Sequence, residues 1–115
     1  MAPRLTYLRF LNFIQALDGD ANAPQMDLDA KKLLEVIYVK QGQGIPLTVT
    51  DAMALHHIAS PATIHRKLDQ LRELGMIDTV FEGKNRRTKY LVATEVAHDY
   101  FAKLGEAMHK ALESN

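Results

Sequence analysis

Cysteine does not occur in this chain of 115 residues, and long apolar runs do not occur either. Without cysteine the protein has no disulfides, no thiolate metal ligands, no cysteine nucleophile and no thiol redox sensor. No apolar run exceeds four residues, and the N-terminus lacks a hydrophobic core followed by a small-residue cleavage site. We therefore expect no membrane span and no secretory signal, and we expect a cytoplasmic protein.

Motifs of catalysis and of metal binding are lacking as well. The chain has no Gly-rich phosphate loop, no G-x-S-x-G elbow and no H-E-x-x-H pair, so neither an enzyme nor a cofactor is expected. Two histidine groups come into question as metal sites, namely His56 and His57 with His65, and His98 and Asp99 with His109. Neither group has a recognised ligand spacing, and we predict no metal site.

An excess of charge of one sign is also missing, since 14 Lys and Arg balance 14 Asp and Glu. A neutral chain does not coat nucleic acid through bulk positive charge. The distribution is nevertheless uneven, because residues 46–94 carry seven basic and five acidic side chains, whereas residues 95–115 carry two and four. The positive potential is therefore expected to be local.

Residues 61–74 have the start, the end and the periodicity of a helix. Ser60 provides an N-cap oxygen, Pro61 lies where its missing N–H costs nothing, and Gly75 can take the left-handed position after the helix. The apolar residues at helical spacing are Ile64, Leu68, Leu71 and Leu74. The opposite side is small, polar and cationic, with Thr63, Arg66, Lys67 and Gln70.

A β-hairpin is predicted directly after this helix. Residues 77–81 and 88–92 alternate β-branched or aromatic side chains with other residues, which indicates two strands. The linking residues 82–86 include Gly83 and Asn85, which both tolerate turn conformations. Four cations cluster at this end of the hairpin: Lys84, Arg86, Arg87 and Lys89.

Further elements are predicted on both sides of this segment. A first helix covers residues 4–17, and a second starts near Asp27 and runs to about Lys40. The core-facing residues of the second are expected to be Leu28, Leu33 or Leu34, Ile37 and Tyr38. A last helix runs from a Thr94 cap to about Leu112.

The segment before Ser60 is predicted to contain a short strand and a short helix. Residues 45–49 suit a strand, and Thr48 with Asp51 resembles a capping box. The helix that follows is expected to end near His56 or His57, with Ala52, Leu55 and Ile58 on one side. Only a short connection then precedes Ser60.

Two helices joined by a short connection, the second of them capped and cationic, make a helix-turn-helix, and the hairpin makes it a winged one. The predicted fold class is thus mainly α with a small β-hairpin. We expect a single domain over residues 1–115, with an N-terminal dimerisation helix at 1–17, a winged helix-turn-helix core at 27–94 and a C-terminal helix at 95–113.

In this order of elements, the chain resembles the MarR-type winged-helix transcription regulators from about Leu47 to Glu95. Residues 60–69, S-P-A-T-I-H-R-K-L-D, resemble the family's S-P-x-T-[VI]-x-R phrase. Residues 74–77, L-G-M-I, resemble its L-G-[LM]-[IV] helix exit. Asn85 and Arg87, with Thr94 and Glu95, keep the spacing of its D-x-R turn and following T-E helix start, with Asn85 in place of the acid.

The resemblance implies a DNA-binding regulator and assigns roles to individual residues. It implies that base edges are approached by Ala62, Thr63, His65 and Arg66. It implies phosphate contacts by Ser60 and Lys67, and insertion of Arg87 into a minor groove. Arginine suits base recognition because its planar fork binds a guanine edge at two points. Lys67, Lys84 and Lys89 are expected to act as point charges, and Arg86 with Arg87 suits a narrow minor groove.

The two terminal helices carry more apolar residues than one core-facing stripe requires. Unpaired, these residues form a large exposed patch, which favours a homodimer on a pseudo-palindromic DNA site. The expected dimerisation residues are Leu5, Leu8, Leu11, Ile14, Tyr100, Leu104, Met108 and Leu112.

Two other functions remain open. The neutral net charge also suits a winged-helix module that docks a protein partner instead of DNA. A regulator that senses a small aromatic ligand is the other alternative, with a pocket between the terminal helices and the core lined by Tyr7, Phe10, Tyr38 and Tyr100.

Overall fold

The computed structural model describes residues 2–113, except for the side chain of Asn85. Its elements in chain order are α1 (Pro3–Asp18), α2 (Leu28–Gly42), α3 (Val49–Met53), α4 (Pro61–Glu73), β1 (Ile77–Glu82), β2 (Asn85–Ala93) and α5 (Glu95–Leu112). The predicted fold class, mainly helical with one small antiparallel hairpin, is confirmed. No helix within residues 2–113 is long and apolar enough to cross a membrane.

The chain divides into two compact units. Residues 26–97 form the first, which we call the winged unit, and the described parts of residues 1–25 and 98–115 form the second, the terminal unit. The winged unit therefore holds α2, α3, α4 and both strands, and the terminal unit holds α1 and most of α5.

The winged unit has a closed hydrophobic core. In it α2 packs against α4 and β2, and α3 packs against α4 and β2. The fully buried large side chains are Leu33, Leu34, Ile37, Ile64, Leu68, Leu71, Met76 and Leu91. Two polar side chains connect the C-terminal end of β2 to the rest of the unit. Gln41 Oε1 accepts from the Ala93 N–H at 2.8 Å, and the Thr94 hydroxyl donates to the Gly75 carbonyl.

The predicted core face of α2 was partly wrong. Leu28 is 82% exposed and Tyr38 is 38% exposed, whereas Leu33 and Leu34 are both buried. Helical geometry explains Leu28, because nine residues at about 100° each place it on the opposite side from the buried Ile37. Leu33 and Leu34 are both covered because α2 packs against α4 and against β2.

The segment that precedes α4 also differs from the prediction. The capping box is confirmed, since Thr48 Oγ1 accepts from the Asp51 N–H and the Asp51 carboxylate accepts from the Thr48 N–H. Residues 45–49 do not form the predicted strand. Their described contacts with the hairpin are a bridge of Thr48 with Tyr90 and a hydrogen bond from the Leu91 N–H to the Leu47 carbonyl at 2.7 Å. Because Thr48 is the N-cap of α3, the chain becomes helical at Val49 and cannot continue there as a strand.

The third helix is shorter than predicted, because α3 ends at Met53 and not near His56 or His57. The N–H groups of Ala54, Leu55 and Ile58 bond to carbonyls three residues back, so the chain passes through tight turns instead of α-helix. Leu55 and Ile58 remain half-buried in these turns. Residues 54–60 thus connect α3 to α4, which is longer than the short connection expected.

The terminal unit buries few side chains by itself. No residue of α1 is buried, and α5 buries Ala107 and Ala111 in this unit. Arg9 Nη2 donates to the Lys110 carbonyl at 3.0 Å and so connects α1 to α5. The exposed large apolar side chains of this unit are Leu5, Tyr7, Leu8, Leu11, Met108 and Leu112.

Candidate nucleic-acid interface

The helix α4 is anchored at both ends and along one side. Ser60 Oγ accepts from the Thr63 N–H at 3.3 Å, and Gly75 takes a φ of 73° directly after the C-cap, as the sequence predicted. Ile64, Leu68 and Leu71 are completely buried. The opposite side of α4 consequently faces solvent, where Ala62, His65, Arg66 and Gln70 are exposed and Thr63 and Lys67 are half-buried.

A chain of side-chain hydrogen bonds runs along the start of this face. Ser60 Oγ donates to Thr63 Oγ1 at 3.0 Å, and Arg66 Nη2 donates to the same Thr63 oxygen at 3.1 Å. Residues three apart on a helix are surface neighbours, which allows both contacts. The guanidinium of Arg66 is thus directed by a hydroxyl that is itself held at the helix cap.

The later part of the face is an internal ion-pair cluster. The Asp69 carboxylate accepts from Arg72 Nη1 at 3.0 Å and lies 3.5 Å from His65 Nδ1. Asp69 is about half exposed, so the cluster is screened by solvent and contributes little to stability. The Asp69 carboxylate offsets the charge of Arg72. Arg66 is instead aligned by a neutral group, the Thr63 hydroxyl.

Lys67 makes an ion pair within the winged unit. Its Nζ lies 2.5 Å from Asp27 Oδ2, and the Lys67 side chain is only 17% exposed. Asp27 is also the N-cap of α2, where it accepts from the Ala30 N–H at 2.9 Å. The hydrogen bond from Lys67, followed by that from Ala30, lowers the pKa of Asp27 below its usual value of 3.8. In this arrangement Lys67 fastens α4 to α2, and its predicted phosphate contact stays a prediction.

The wing is the hairpin of β1 and β2, with Gly83 at a φ of 58° in the turn. Phe81 pairs with Lys89, but the next pair along β1 is Glu82 with Asn85. The ladder therefore steps over residues 86–88, which are extra residues in β2. This irregularity distinguishes the wing from the regular hairpin that the alternation predicts.

Two of the wing cations lie over one aromatic ring. Arg86 Cζ is 5.6 Å and Lys89 Nζ is 5.7 Å from the centre of the Phe81 ring. Both distances fall within the range of cation–π attraction, for which exposed pairs contribute about 0.5–1 kcal/mol. Phe81 is 37% exposed, so its ring holds the two cations at the surface.

An open groove of about 400 Å³ lies between the wing and the start of α3. Its lining combines three hydroxyls, three cations and the Phe81 ring, and consists of Thr48, Val49, Thr50, Phe81, Arg86, Arg87, Thr88 and Lys89. Groups that donate hydrogen bonds or carry positive charge favour an anion such as a backbone phosphate.

The structure brings the predicted DNA-facing residues together in two groups within the winged unit, one on α4 and one on the wing. The contributions of Asp27, Asp69, Phe81 and Arg72 were missed. Phe81 was identified only as a strand residue, because its contact with Lys89 depends on the register. The partnership of Asp27 with Lys67 spans 40 positions and has no local sequence pattern.

The aromatic residues proposed to line one ligand pocket are distributed over separate places. Tyr7 and Phe10, whose ring centres are 6.3 Å apart, line an open groove of about 380 Å³ in the terminal unit. Tyr100 lines a different, smaller cavity with Leu17 and Leu104. Among the described residues, no three His, Asp or Glu side chains approach closely enough to hold a metal ion.

Comparison with known proteins identifies the architecture. No protein-family model matches the sequence, and no curated protein matches it. A MarR-like transcriptional regulator from Thermotoga maritima superposes with a TM-score of 0.66 at 14% identity, over 95% of this chain and 74% of the other. The S. aureus MepR protein, solved in complex with DNA, superposes with a TM-score of 0.60 at 16% identity, over 92% of this chain and 73% of the MepR chain. The heme sensor PefR from Streptococcus agalactiae, solved with heme, superposes with a TM-score of 0.60 at 16% identity, over 96% of this chain and 76% of the PefR chain.

The fold is therefore a winged helix-turn-helix. More particularly, it is the winged-helix fold of the MarR-type transcription regulators, and the resemblance inferred from residues 47–95 is confirmed at the level of the fold.

Proposed function

We propose that this protein is a sequence-specific DNA-binding transcription regulator that acts as a homodimeric repressor. The observation that supports it best is the solvent-facing polar side of α4, which is positioned by a fully buried apolar side and lies in one compact unit with a cationic wing. In winged and other helix-turn-helix proteins the second helix of the motif enters the major groove.

The two groups have different roles in this proposal. On α4, Ala62, Thr63, His65, Arg66 and Gln70 contact base edges, and Ser60 contacts a phosphate. On the wing, Lys84, Arg86, Arg87 and Lys89 supply charge to the minor groove and to the backbone. Phosphate contacts position a protein on the duplex, whereas base contacts specify the sequence.

Homodimerisation is proposed from the terminal unit. A single winged-helix module buries on the order of 600–1,000 Å² on DNA, so a pair would double the contact. The exposed apolar side chains of α1 and α5, with Leu8 at 52% and Leu112 at 70%, provide a surface for pairing. A two-fold pair would contact two half-sites about one helical turn, or roughly 34 Å, apart. Sedimentation velocity tests this directly, and a monomer at micromolar concentrations would contradict the dimer.

DNA binding is tested by fluorescence anisotropy with labelled duplexes at several salt concentrations. We expect binding that weakens steeply with salt, because cations release condensed counterions from the phosphates. Reversing the wing charges with Arg86→Glu and Arg87→Glu should remove most of the affinity. If the wild-type protein binds no duplex even at low salt, the proposal fails, and a module that docks a protein partner becomes the better explanation. Repression itself is tested with a reporter gene behind the selected DNA site.

A small aromatic ligand is a second candidate partner, because Tyr7 and Phe10 line an apolar groove in the terminal unit together with Met108 and Leu112. The proposed dimer would cover part of the same surface. Thermal shifts against a panel of aromatic acids separate the two, since a ligand that binds the folded state raises the melting temperature. No stabilisation by any member of the panel would argue against the ligand.

A further inference from the structure

Thr63 stands between the helix cap and the arginine proposed to contact bases. Its Oγ1 accepts one hydrogen bond from Ser60 Oγ at 3.0 Å and a second from Arg66 Nη2 at 3.1 Å. A hydroxyl oxygen has two acceptor sites and one proton. With Ser60 as the donor of their mutual hydrogen bond, both acceptor sites of Thr63 are occupied, and any further hydrogen bond that this hydroxyl makes must use its proton.

Arg66 can likewise act only as a hydrogen-bond donor, because a guanidinium has five N–H groups and no acceptor. Thr63 and Arg66 lie three positions apart, so their side chains are neighbours on one side of α4. The Thr63–Arg66 pair therefore presents only hydrogen-bond donors to a base pair.

The charge of Arg66 is not offset by the carboxylate closest to it along the helix. Asp69 is held by Arg72 at 3.0 Å and lies 3.5 Å from His65. The guanidinium is instead aligned by a neutral hydroxyl, which directs it without weakening its attraction to an acceptor.

Guanine is the base whose major-groove edge carries two acceptors, O6 and N7. Adenine places a donor beside its one acceptor, cytosine presents a donor, and thymine presents one acceptor beside a methyl group. We propose that the Ser60–Thr63–Arg66 chain selects a guanine in each half-site, with Thr63 as the positioning residue that directs Arg66 at O6 and N7. The inference rests on the proposed DNA-binding function, to which it adds the recognised base and the residue that aligns the arginine.

Thr63→Val is the critical variant, because valine keeps the shape of threonine and removes the hydroxyl. The backbone N–H of residue 63 remains available to Ser60 Oγ, so the helix cap is preserved. Thr63→Ser keeps the hydroxyl and is the matched control. Equal melting curves of the two variants by circular dichroism show that both are folded.

The experiment selects bound sequences from a pool of random duplex DNA with the wild-type protein, Thr63→Val, Thr63→Ser and Arg66→Ala. We expect the wild type and Thr63→Ser to enrich the same guanine in each half-site. Arg66→Ala should lose this preference, and Thr63→Val should lose most of it. The other enriched positions should be kept by Thr63→Val.

A single-atom change in the DNA then measures the effect. The selected guanine is replaced by 7-deazaguanine, which lacks N7, and both duplexes are titrated with each protein. A good arginine–guanine pair predicts roughly 5- to 100-fold weaker wild-type binding. The ratio should fall to a few-fold in Thr63→Val, and adding Thr63→Val to Arg66→Ala should have no further effect on it.

Three results are decisive. A wild-type protein that binds no DNA overturns the proposed function itself. A wild-type protein that selects a sequence in which no guanine depends on Arg66 overturns only this inference. The same holds if Thr63→Val retains the wild-type preference for the selected guanine.

Discussion

The winged unit and the terminal unit differ in where their apolar side chains lie. In the winged unit eight large apolar side chains are fully buried by contacts among α2, α3, α4 and the hairpin. In the terminal unit α1 has no buried residue, and the described residues buried in α5 within this unit are alanines. The polar side of α4 is thus supported by the core of the winged unit, whereas the terminal unit exposes apolar side chains.

This difference suits the proposed function, in which the winged unit recognises DNA and the terminal unit pairs with a second copy. A buried core holds the outward-facing side of α4 in a fixed orientation, which base recognition requires. An exposed apolar surface gains stability only when another surface covers it, which makes it suitable for association. Substitutions in the two units should therefore differ in kind as well as in size.

The largest effect is expected in the core of the winged unit. Leu68→Ala removes a fully buried side chain and should lower the free energy of unfolding by about 2–5 kcal/mol. Leu8→Ala, at a position 52% exposed, should change it by about 0.5 kcal/mol or less when the protein is dilute and monomeric. Urea unfolding at two protein concentrations measures both. Equal losses for the two variants would contradict the contrast between the units.

A smaller effect is expected on self-association. Leu8→Glu places a charge on the exposed face of α1 and should weaken dimerisation at least roughly tenfold, or about 1.4 kcal/mol. Val39→Glu is the matched control, because Val39 on α2 is 54% exposed and lies in the winged unit. Sedimentation equilibrium should show weaker association for the first variant only. If Val39→Glu dissociates the dimer and Leu8→Glu does not, the pairing surface lies elsewhere.

Loss of the α2 cap should have a more modest effect on the stability of the winged unit. Asp27→Ala removes both the cap and the ion pair with Lys67, and it should cost about 0.5–2 kcal/mol. Asp27→Asn keeps a capping oxygen and loses the ion pair, so it should cost less. Chemical denaturation at neutral pH distinguishes the two variants, and equal stability of Asp27→Ala and wild type would argue against the cap.

The pH dependence of the same pair has a definite sign. The pKa of Asp27 is lowered in the folded state by the hydrogen bonds from Lys67 and Ala30, so the folded protein favours the ionised carboxylate. The advantage of wild type over Asp27→Asn should be complete above the usual value of 3.8 and should be lost as pH falls through the lower, folded pKa. An advantage that grows on acidification would contradict the ion pair.

The smallest effect is expected at the aromatic residue of the wing. Phe81→Leu removes the ring beneath Arg86 and Lys89 and should weaken binding to any duplex by about 0.5–1 kcal/mol in total, because both cations remain exposed to solvent. Phe81→Tyr keeps the ring and should bind like the wild type. Anisotropy titrations with a duplex of unrelated sequence measure the difference. A loss of affinity in both variants would assign Phe81 a packing role.

Local sequence patterns predicted the elements that have local causes. The ends of α4 follow from Ser60, Pro61 and Gly75, and its orientation follows from the spacing of Ile64, Leu68 and Leu71. Periodicity wrongly predicted a longer third helix. Leu55 and Ile58 have the apolar spacing of a helix, but their backbone N–H groups bond to carbonyls three residues back and form turns. Leu28 was wrongly assigned to the core face because it is apolar, although helical geometry places it opposite Ile37, and it is exposed.

Local residue patterns were sufficient to predict the order of the helices, the capped polar helix, the cationic hairpin and the surplus of apolar residues at both ends. These features depend on capping, periodicity and turn chemistry, which act over a few residues. Folding was needed to reveal the ion pair of Asp27 with Lys67, the step in the hairpin ladder and the placement of Arg86 and Lys89 over Phe81. Those features depend on register and on packing between distant segments, because side-chain atoms meet only after the core has fixed the distances between their helices and strands.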